Sequence, residues 1–196
     1  MITPGLEALR TAVGDLLRAS PELRAFADWP AAPVPGAVAP LAMPAIRLIE
    51  ALSARTTAAT AAVVSAVRLS ARDANWQHTY TEAEVGRDFL DRYGWFELVG
   101  PGGHFHSDTA RAYIAFWDAG LHYPMHLHEA EELYYILAGG ALFHAEGEPS
   151  RWLAPQDTRL HRSNQPHAMD TQDEPVLALI LWRGQGLSGA ARMRVG

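Results

Sequence analysis

The residues best suited to chemistry lie within residues 120–139, where His126-x-His128 is followed, after three further residues, by Glu132. Two imidazoles and a carboxylate suit a divalent transition metal such as zinc, iron or manganese. Residues i and i+2 of an extended chain point to the same side, so the two imidazoles are expected to converge. Tyr134 follows Glu132 at the same spacing, and the pattern therefore predicts a phenol beside a bound metal.

That phenol is a candidate base. An unperturbed tyrosine has a pKa near 10, and lowering it to about 7 takes roughly 4 kcal/mol of preferential stabilisation of the phenolate. A divalent cation a few ångströms away supplies stabilisation of this size. The alternative for Tyr134 is a core residue with a hydrogen-bonded hydroxyl, but the neighbouring ligands favour the base. The adjacent Tyr135 should point to the opposite face of the sheet.

A metal site of this kind needs a further ligand from a more distant strand. His167, which follows Pro166 and precedes the apolar run 176–182, is the preferred fourth ligand. His161 is the alternative. An isolated histidine is more often a core or surface residue, but the spacing of the first three candidates favours metal binding.

Composition excludes several classes of function. The 196 residues carry a net charge of −6, which argues against a nucleic-acid or anionic membrane surface. The chain has no cysteine, which excludes disulfides and thiolate sites, and no lysine, which excludes Schiff-base chemistry. The N-terminus lacks the pattern of a signal peptide. We therefore expect a soluble, cytoplasmic protein with a small-molecule substrate.

Hydrophobic periodicity changes near residue 95. Before it, spacing and capping signals predict helices over residues 5–28 and 45–68, and a short helix that follows the capping box Thr81-x-x-Glu84 and stops at Gly94. After it, alternating apolar residues predict a series of short strands separated by glycine and proline turns. The predicted strands cover residues 95–99, 112–117, 132–137, 141–145, 158–161 and 176–182.

These elements predict a mainly β protein with a helical N-terminal extension. We place the extension at residues 1–94 and a β-barrel catalytic domain at residues 95–196. Many short antiparallel strands with tight turns are typical of a barrel or jelly roll.

The stretch from Gly120 to Gly139 also resembles a known family motif. It matches every fixed position of the first cupin motif, G-x5-H-x-H-x3-E-x6-G, whereas the second cupin motif is matched poorly around residues 155–157. The resemblance implies a cupin jelly-roll β-barrel, packed here with several N-terminal helices.

A closer resemblance is to the cupin-type dimethylsulfoniopropionate (DMSP) lyases of marine bacteria. The residues that carry it are Tyr123-Pro124-x-His126-x-His128-x3-Glu132-x-Tyr134, then Pro166-His167, then Trp182, with Trp76-Gln77-x-Thr79-Tyr80-Thr81 in the extension. It implies that His126, His128, Glu132 and His167 hold a divalent metal.

The same resemblance implies the reaction. Tyr134 would be the general base in a β-elimination that splits DMSP into dimethyl sulfide and acrylate, with the metal on the substrate carboxylate. Tyr123 and Trp182 would contact the sulfonium, a cation without hydrogen-bond donors that aromatic ring faces attract.

Two other functions remain open on the sequence. Three histidines and a glutamate also suit an Fe(II)-dependent cupin dioxygenase, and a non-catalytic cupin that binds a small molecule would use the same cavity. The sequence does not choose the native metal or the oligomeric state, although a homodimer is compatible with the cupin resemblance.

Overall fold

Helices dominate the first part of the chain and strands the remainder in the computed structural model, which describes residues 2–30 and 34–194. In those residues the helices are α1 Pro4–Ala19, α2 Pro21–Phe26, α3 Ile46–Glu50, α4 Ala61–Ser70, α5 Glu82–Val85 and α6 Arg87–Asp91. None of these described helices has the length and apolar character needed to cross a membrane.

Two helix starts follow local signals in the sequence. The Ser20 side chain accepts a hydrogen bond from the Leu23 N–H at the start of α2, directly before a proline at the first helical position. Thr81 and Glu84 form the predicted capping box at the start of α5. The predicted helical stretch over residues 5–28 is confirmed as α1 and α2.

The predicted long helix over residues 45–68 is wrong. The structure has two shorter helices, α3 and α4, with non-helical chain over residues 51–60 between them. The Thr60 hydroxyl accepts a hydrogen bond from the Thr57 N–H at 3.1 Å. Such side-chain bonds offer the backbone an alternative to helical hydrogen bonding, and here they accompany the break.

Twelve strands lie in the described residues. They are β1 Val34–Pro35, β2 Tyr93–Gly100, β3 Phe105–His106, β4 Arg111–Trp117, β5 His122–Leu127, β6 Glu131–Gly139, β7 Ala141–Ala145, β8 Glu148–Leu153, β9 Thr158–His161, β10 His167–Asp170, β11 Val176–Arg183 and β12 Arg192–Met193. All six predicted strands are present. The other six described strands were not predicted. The strands β1, β3 and β12 have two residues each, β8 is almost wholly exposed, and β5 and β10 carry site histidines in place of an alternating apolar pattern.

The last predicted helix ends earlier than expected. It finishes at Asp91, and Tyr93 already belongs to β2, where it pairs with Trp117 on β4. The prediction that this helix continued to Gly94 is therefore wrong. Tyr93 is buried between the sheets, so packing outweighs its helical spacing.

The strands form two facing layers. One sheet has the order β1-β3-β2-β4-β11-β6-β9 and the other has the order β12-β5-β10-β7-β8. On β6, Tyr134 and Ile136 face the interior between the sheets, whereas Leu133 and Tyr135 pack against the helices. The expected opposite orientation of Tyr134 and Tyr135 is confirmed. Burial on both faces explains the nearly continuous apolar sequence of the central strands.

The mainly β fold with N-terminal helices is confirmed, but in the described residues the two sheets do not close into the predicted barrel. The two sheets are not joined by backbone hydrogen bonds into a closed barrel within residues 34–194. They form a two-layered sandwich whose shared interior is filled by aromatic and aliphatic side chains from both layers. The helices pack against the outer face of the larger sheet, and the division of the chain at residue 94 stays a prediction.

Candidate metal and active site

Strand pairing brings the candidate ligands together from both layers. In the larger sheet, Glu132 on β6 lies between Trp182 on β11 and His161 on β9. In the smaller sheet, His167 on β10 pairs with His126 on β5. Because these side chains point into the space between the layers, residues far apart in sequence become neighbours.

Three histidines are held in the same way. The Nδ1 atoms of His126, His128 and His167 lie 2.8, 2.9 and 2.8 Å from a backbone carbonyl oxygen. Each Nδ1–H donates to its carbonyl, so the proton stays on Nδ1 and the Nε2 lone pair is free. The carbonyls belong to the residue two positions before or after the histidine. This is the arrangement that histidine ligands of metals usually show.

The free donor atoms converge on one point. Glu132 Oε2 lies 3.1 Å from His128 Nε2 and 3.0 Å from His167 Nε2. Donor atoms of His126, His128 and His167 also lie within 4.8 Å of one another. Among the described residues, the two Nε2 atoms and Glu132 Oε2 are buried without a hydrogen-bond partner. Buried polar atoms are normally partnered, so this donor set fits a tetrahedral or larger coordination shell of a divalent cation.

His161 differs from the other three histidines. It is 0% exposed, its ring stacks on that of His167 at 3.9 Å, and both of its nitrogens lack a hydrogen-bond partner among the described residues. His161, Glu132 and His167 form a second group of donors within 4.8 Å of one another. Only His167 belongs to both groups and also has the carbonyl contact, which supports His167 as the fourth ligand.

The charge states suit metal binding. Burial lowers the pKa of His126 well below its usual value, with a further contribution from His167. Burial likewise lowers the pKa of His161 to about 2. Burial alone would raise the pKa of Glu132, but His128 and His167 outweigh it and hold that pKa well below its usual range. Glu132 is therefore ionised and His126 and His161 are neutral, which are the forms that bind metals.

The Glu132 carboxylate changes the pKa of the neighbouring His128 ring. Burial alone would lower the pKa of His128, but the Glu132 carboxylate outweighs burial, and the pKa is raised. The carboxylate thus makes the Nε2 lone pair of His128 more basic. A divalent cation would compete with a proton for this lone pair.

Trp182 holds the other oxygen of the carboxylate. Its indole Nε1–H donates to Glu132 Oε1 at 2.9 Å, and its ring stacks on His128 at 4.4 Å. The guanidinium of Arg111 lies 5.4 Å from the centre of the same ring. Arg111 also forms an ion pair with Glu97 at 3.1 Å, in which both side chains are largely buried.

A cavity of about 260 Å³ opens beside the cluster. Tyr134 lines it, as do both residues predicted to contact substrate, Tyr123 and Trp182. Tyr123 lies 4.4 Å from the His126 ring. Burial raises the pKa of Tyr134 well above its usual value, and the Glu132 carboxylate adds to the effect. In the protein alone the Tyr134 phenol is therefore protonated.

Sequence reasoning missed Tyr93 in the cavity wall. Tyr93 and Trp117 line the cavity beside Tyr123, and the Tyr93 hydroxyl lies 2.9 Å from Thr79 Oγ1 and 3.3 Å from the Tyr123 hydroxyl. Strand parity in β2 was the available signal for Tyr93. Arg111 also lines the cavity, and no local pattern in the sequence marks it as a cavity residue.

Three comparisons with known proteins agree. The family model described as dimethylsulfoniopropionate lyase matches residues 23–178. The dimethylsulfoniopropionate lyase DddQ of Ruegeria pomeroyi is 44% identical over 164 residues, which cover 84% of this chain and 82% of that protein.

Solved structures give the same result. A crystal structure from the DMSP lyases RdDddP and RnDddQII has a TM-score of 0.95 at 42% identity, covering 97% of this chain and 98% of its own. The crystal structure of DddQ from Ruegeria pomeroyi DSS-3 has a TM-score of 0.93 at 40% identity, with 98% and 97% covered.

Proposed function

This chain belongs to the dimethylsulfoniopropionate lyase family, and from that premise we propose how its buried histidine–glutamate cluster and the adjacent phenol carry out the reaction. The enzyme is a carbon–sulfur lyase that splits DMSP into dimethyl sulfide and acrylate. The convergence of His128 Nε2, His167 Nε2 and Glu132 Oε2, which have no hydrogen-bond partner in the described part of the chain, carries the proposal of a metal centre.

The metal ligands in this proposal are His126, His128, Glu132 and His167. When bound, a divalent cation would supply positive charge that polarises the substrate carboxylate and favours ionisation of a nearby phenol. The three carbonyl contacts orient the imidazoles before the cation arrives, so the site is preorganised.

Tyr134 is the base in this proposal. It lines the cavity on the same strand face as Glu132, two residues away. The step requires the Tyr134 phenolate, whose formation a bound cation would favour, and the phenolate oxygen takes the proton from the carbon next to the substrate carboxylate. The electrons of that C–H bond form the new double bond, and the carbon–sulfur bond breaks with its electron pair on sulfur. Acrylate and neutral dimethyl sulfide are the products, and the cleavage consumes no oxidant.

The sulfonium needs a ring face that carries no other cation. The face of Trp182 has Arg111 at 5.4 Å and His128 at 4.4 Å, so a second positive group there would be repelled. Tyr123, Tyr93 and Trp117 form an aromatic wall whose ring centres lie 5.2–5.4 Å apart. We therefore place the sulfonium at Tyr123, and assign Trp182 to the positioning of Glu132.

The aromatic wall is itself ordered by hydrogen bonds. Trp95 Nε1–H donates to Thr79 Oγ1 at 2.9 Å, and the Thr79 hydroxyl contacts Tyr93 at the same distance. The Tyr93 hydroxyl continues the chain to Tyr123. A wall fixed in this way loses little conformational entropy when a small cation binds.

A headspace assay with DMSP tests the lyase proposal. We expect dimethyl sulfide and acrylate in equal amounts without oxygen consumption, loss of both products after chelation, and recovery on adding Zn²⁺, Mn²⁺ or Fe²⁺. Undiminished release from protein that mass spectrometry shows to be metal-free would contradict the metal centre. Oxygen uptake with oxygenated products would instead identify a dioxygenase, and tight DMSP binding without turnover would identify a binding protein.

A further inference from the structure

His161 is a buried histidine that the proposed reaction does not use. It lies opposite Glu132 in the β6–β9 ladder, and its ring is parallel to that of His167 within 10°. Neither ring nitrogen has a hydrogen-bond partner in the described part of the chain. A buried polar atom without a partner destabilises the fold. An ordinary core position would favour an apolar ring here.

The surroundings of His161 contain two further metal donors. Donor atoms of Glu132, His161 and His167 lie within 4.8 Å of one another, and all three residues are at most 3% exposed. This group shares His167 with the group made by His126 and His128. The cluster therefore offers five donors from two overlapping sets, whereas a tetrahedral site needs four.

We infer that the cluster has a second cation position, adjacent to the first, formed by Glu132, His161 and His167. The inference rests on the proposal that the cluster binds a divalent metal. The two positions share ligands, so only one is filled at a time. The ligand class is a borderline divalent cation such as Zn²⁺, Co²⁺ or Cd²⁺, because two imidazoles and one carboxylate form the second set.

Metal titration of ligand variants tests this directly. The full-length chain is stripped with chelator and titrated with Co²⁺, whose absorption reports coordination. The double variant His126→Ala/His128→Ala retains the second set, so we expect it to bind one Co²⁺ per chain with affinity reduced by more than about 100-fold. Adding His161→Phe should abolish that binding. Phenylalanine keeps the ring that stacks on His167 but provides no donor.

A matched control uses a histidine outside the cluster. His144 lies on β7 next to the core residue Phe143. Its ring nitrogens contact Asp170 and Ser150 and not the ligand cluster. Adding His144→Phe to the double variant should leave its Co²⁺ binding unchanged. A double variant that is folded by circular dichroism but binds no Co²⁺ would overturn the inference, as would an added His161→Phe that changes nothing. A wild-type chain that binds no Co²⁺ would overturn the metal centre itself.

A second measurement does not depend on the double variant. Cadmium NMR of the wild-type chain loaded with one ¹¹³Cd²⁺ should show two resonances or one exchange-broadened resonance. His161→Phe should give one sharp resonance at the same stoichiometry. A single sharp resonance at the same position in both proteins would contradict a second cation position.

Discussion

The indole N–H of Trp182 donates a hydrogen bond to Glu132 Oε1 across 2.9 Å, and the two residues are direct partners in the β6–β11 ladder. One carboxylate oxygen is thereby committed to the protein, which turns Oε2 toward His128 and His167. Trp182 thus acts on the proposed metal through its ligand. Outer partners of this kind set the orientation and basicity of metal ligands.

Replacing Trp182 by phenylalanine distinguishes a role in positioning Glu132 from a role in binding the sulfonium. Trp182→Phe keeps a ring near His128 but removes the hydrogen bond to Glu132, so we expect metal affinity to fall about 10–100-fold, the usual effect of losing an outer partner. The KM for DMSP, measured at saturating metal, should change little. Trp152→Phe, at an exposed tryptophan, is the control. Unchanged metal affinity with a raised KM would instead assign Trp182 to sulfonium binding.

Removing the Tyr134 hydroxyl tests the base. Tyr134→Phe should keep the metal, as measured by mass spectrometry, but lose nearly all dimethyl sulfide release because no group remains to take the proton. Tyr135→Phe is the matched control, since that ring is buried on the helix-facing side of the same strand. A Tyr134→Phe rate above about a tenth of wild type, a loss of less than about 1.4 kcal/mol, would show that another group is the base.

The two glycines that bound the cupin-like motif should differ in their tolerance of a side chain. Both have positive φ angles, +76° at Gly120 and +70° at Gly139. A Cβ at Gly120 meets nothing within 4 Å, whereas one at Gly139 would lie 1.7 Å from the Pro175 carbonyl oxygen. Gly120→Ala should therefore cost about 1–2 kcal/mol from backbone strain alone. Gly139→Ala should cost about 1–3 kcal/mol more because of the clash.

Urea unfolding of both variants measures these costs. The comparison is internal, because the two substitutions add the same methyl group at similar φ angles. Equal losses of unfolding free energy in the two variants would mean that the chain around Pro175 moves without cost, contrary to this packing.

A buried histidine away from the metal centre gives a pH dependence. His104 Nε2 accepts a hydrogen bond from the Asn75 N–H at 3.0 Å, and burial lowers the pKa of His104 from 6.5. Because the unfolded chain takes up this proton first, stability should fall as the pH drops below about 6.5, by at most about 1.4 kcal/mol per pH unit for this group.

The variant His104→Gln isolates this contribution. It has no titrating ring, so its free energy of unfolding should fall less steeply between pH 7 and pH 5 than that of wild type. Parallel curves for wild type and His104→Gln would contradict a neutral, buried His104.

Local sequence information was sufficient to predict much of the fold and of the candidate site. The His126-x-His128 spacing, Glu132 and Tyr134 depend on the two-residue repeat of a strand, which acts between near neighbours. The start of α2 and the capping box of α5 depend on side-chain hydrogen bonds within three residues. Interactions of such short range are encoded directly in the order of residues.

Other features depended on contacts between distant parts of the chain. The stacking of His161 on His167 and the hydrogen bond from Trp182 to Glu132 follow only from the packing of strands. Trp182 and Glu132 are separated by 50 residues, yet the register of β6 and β11 makes them partners. Local periodicity states which face a residue occupies but not which strand lies beside it. Only the assembled sheets place Trp182 against Glu132 and bring His161 and His167 close to the same carboxylate.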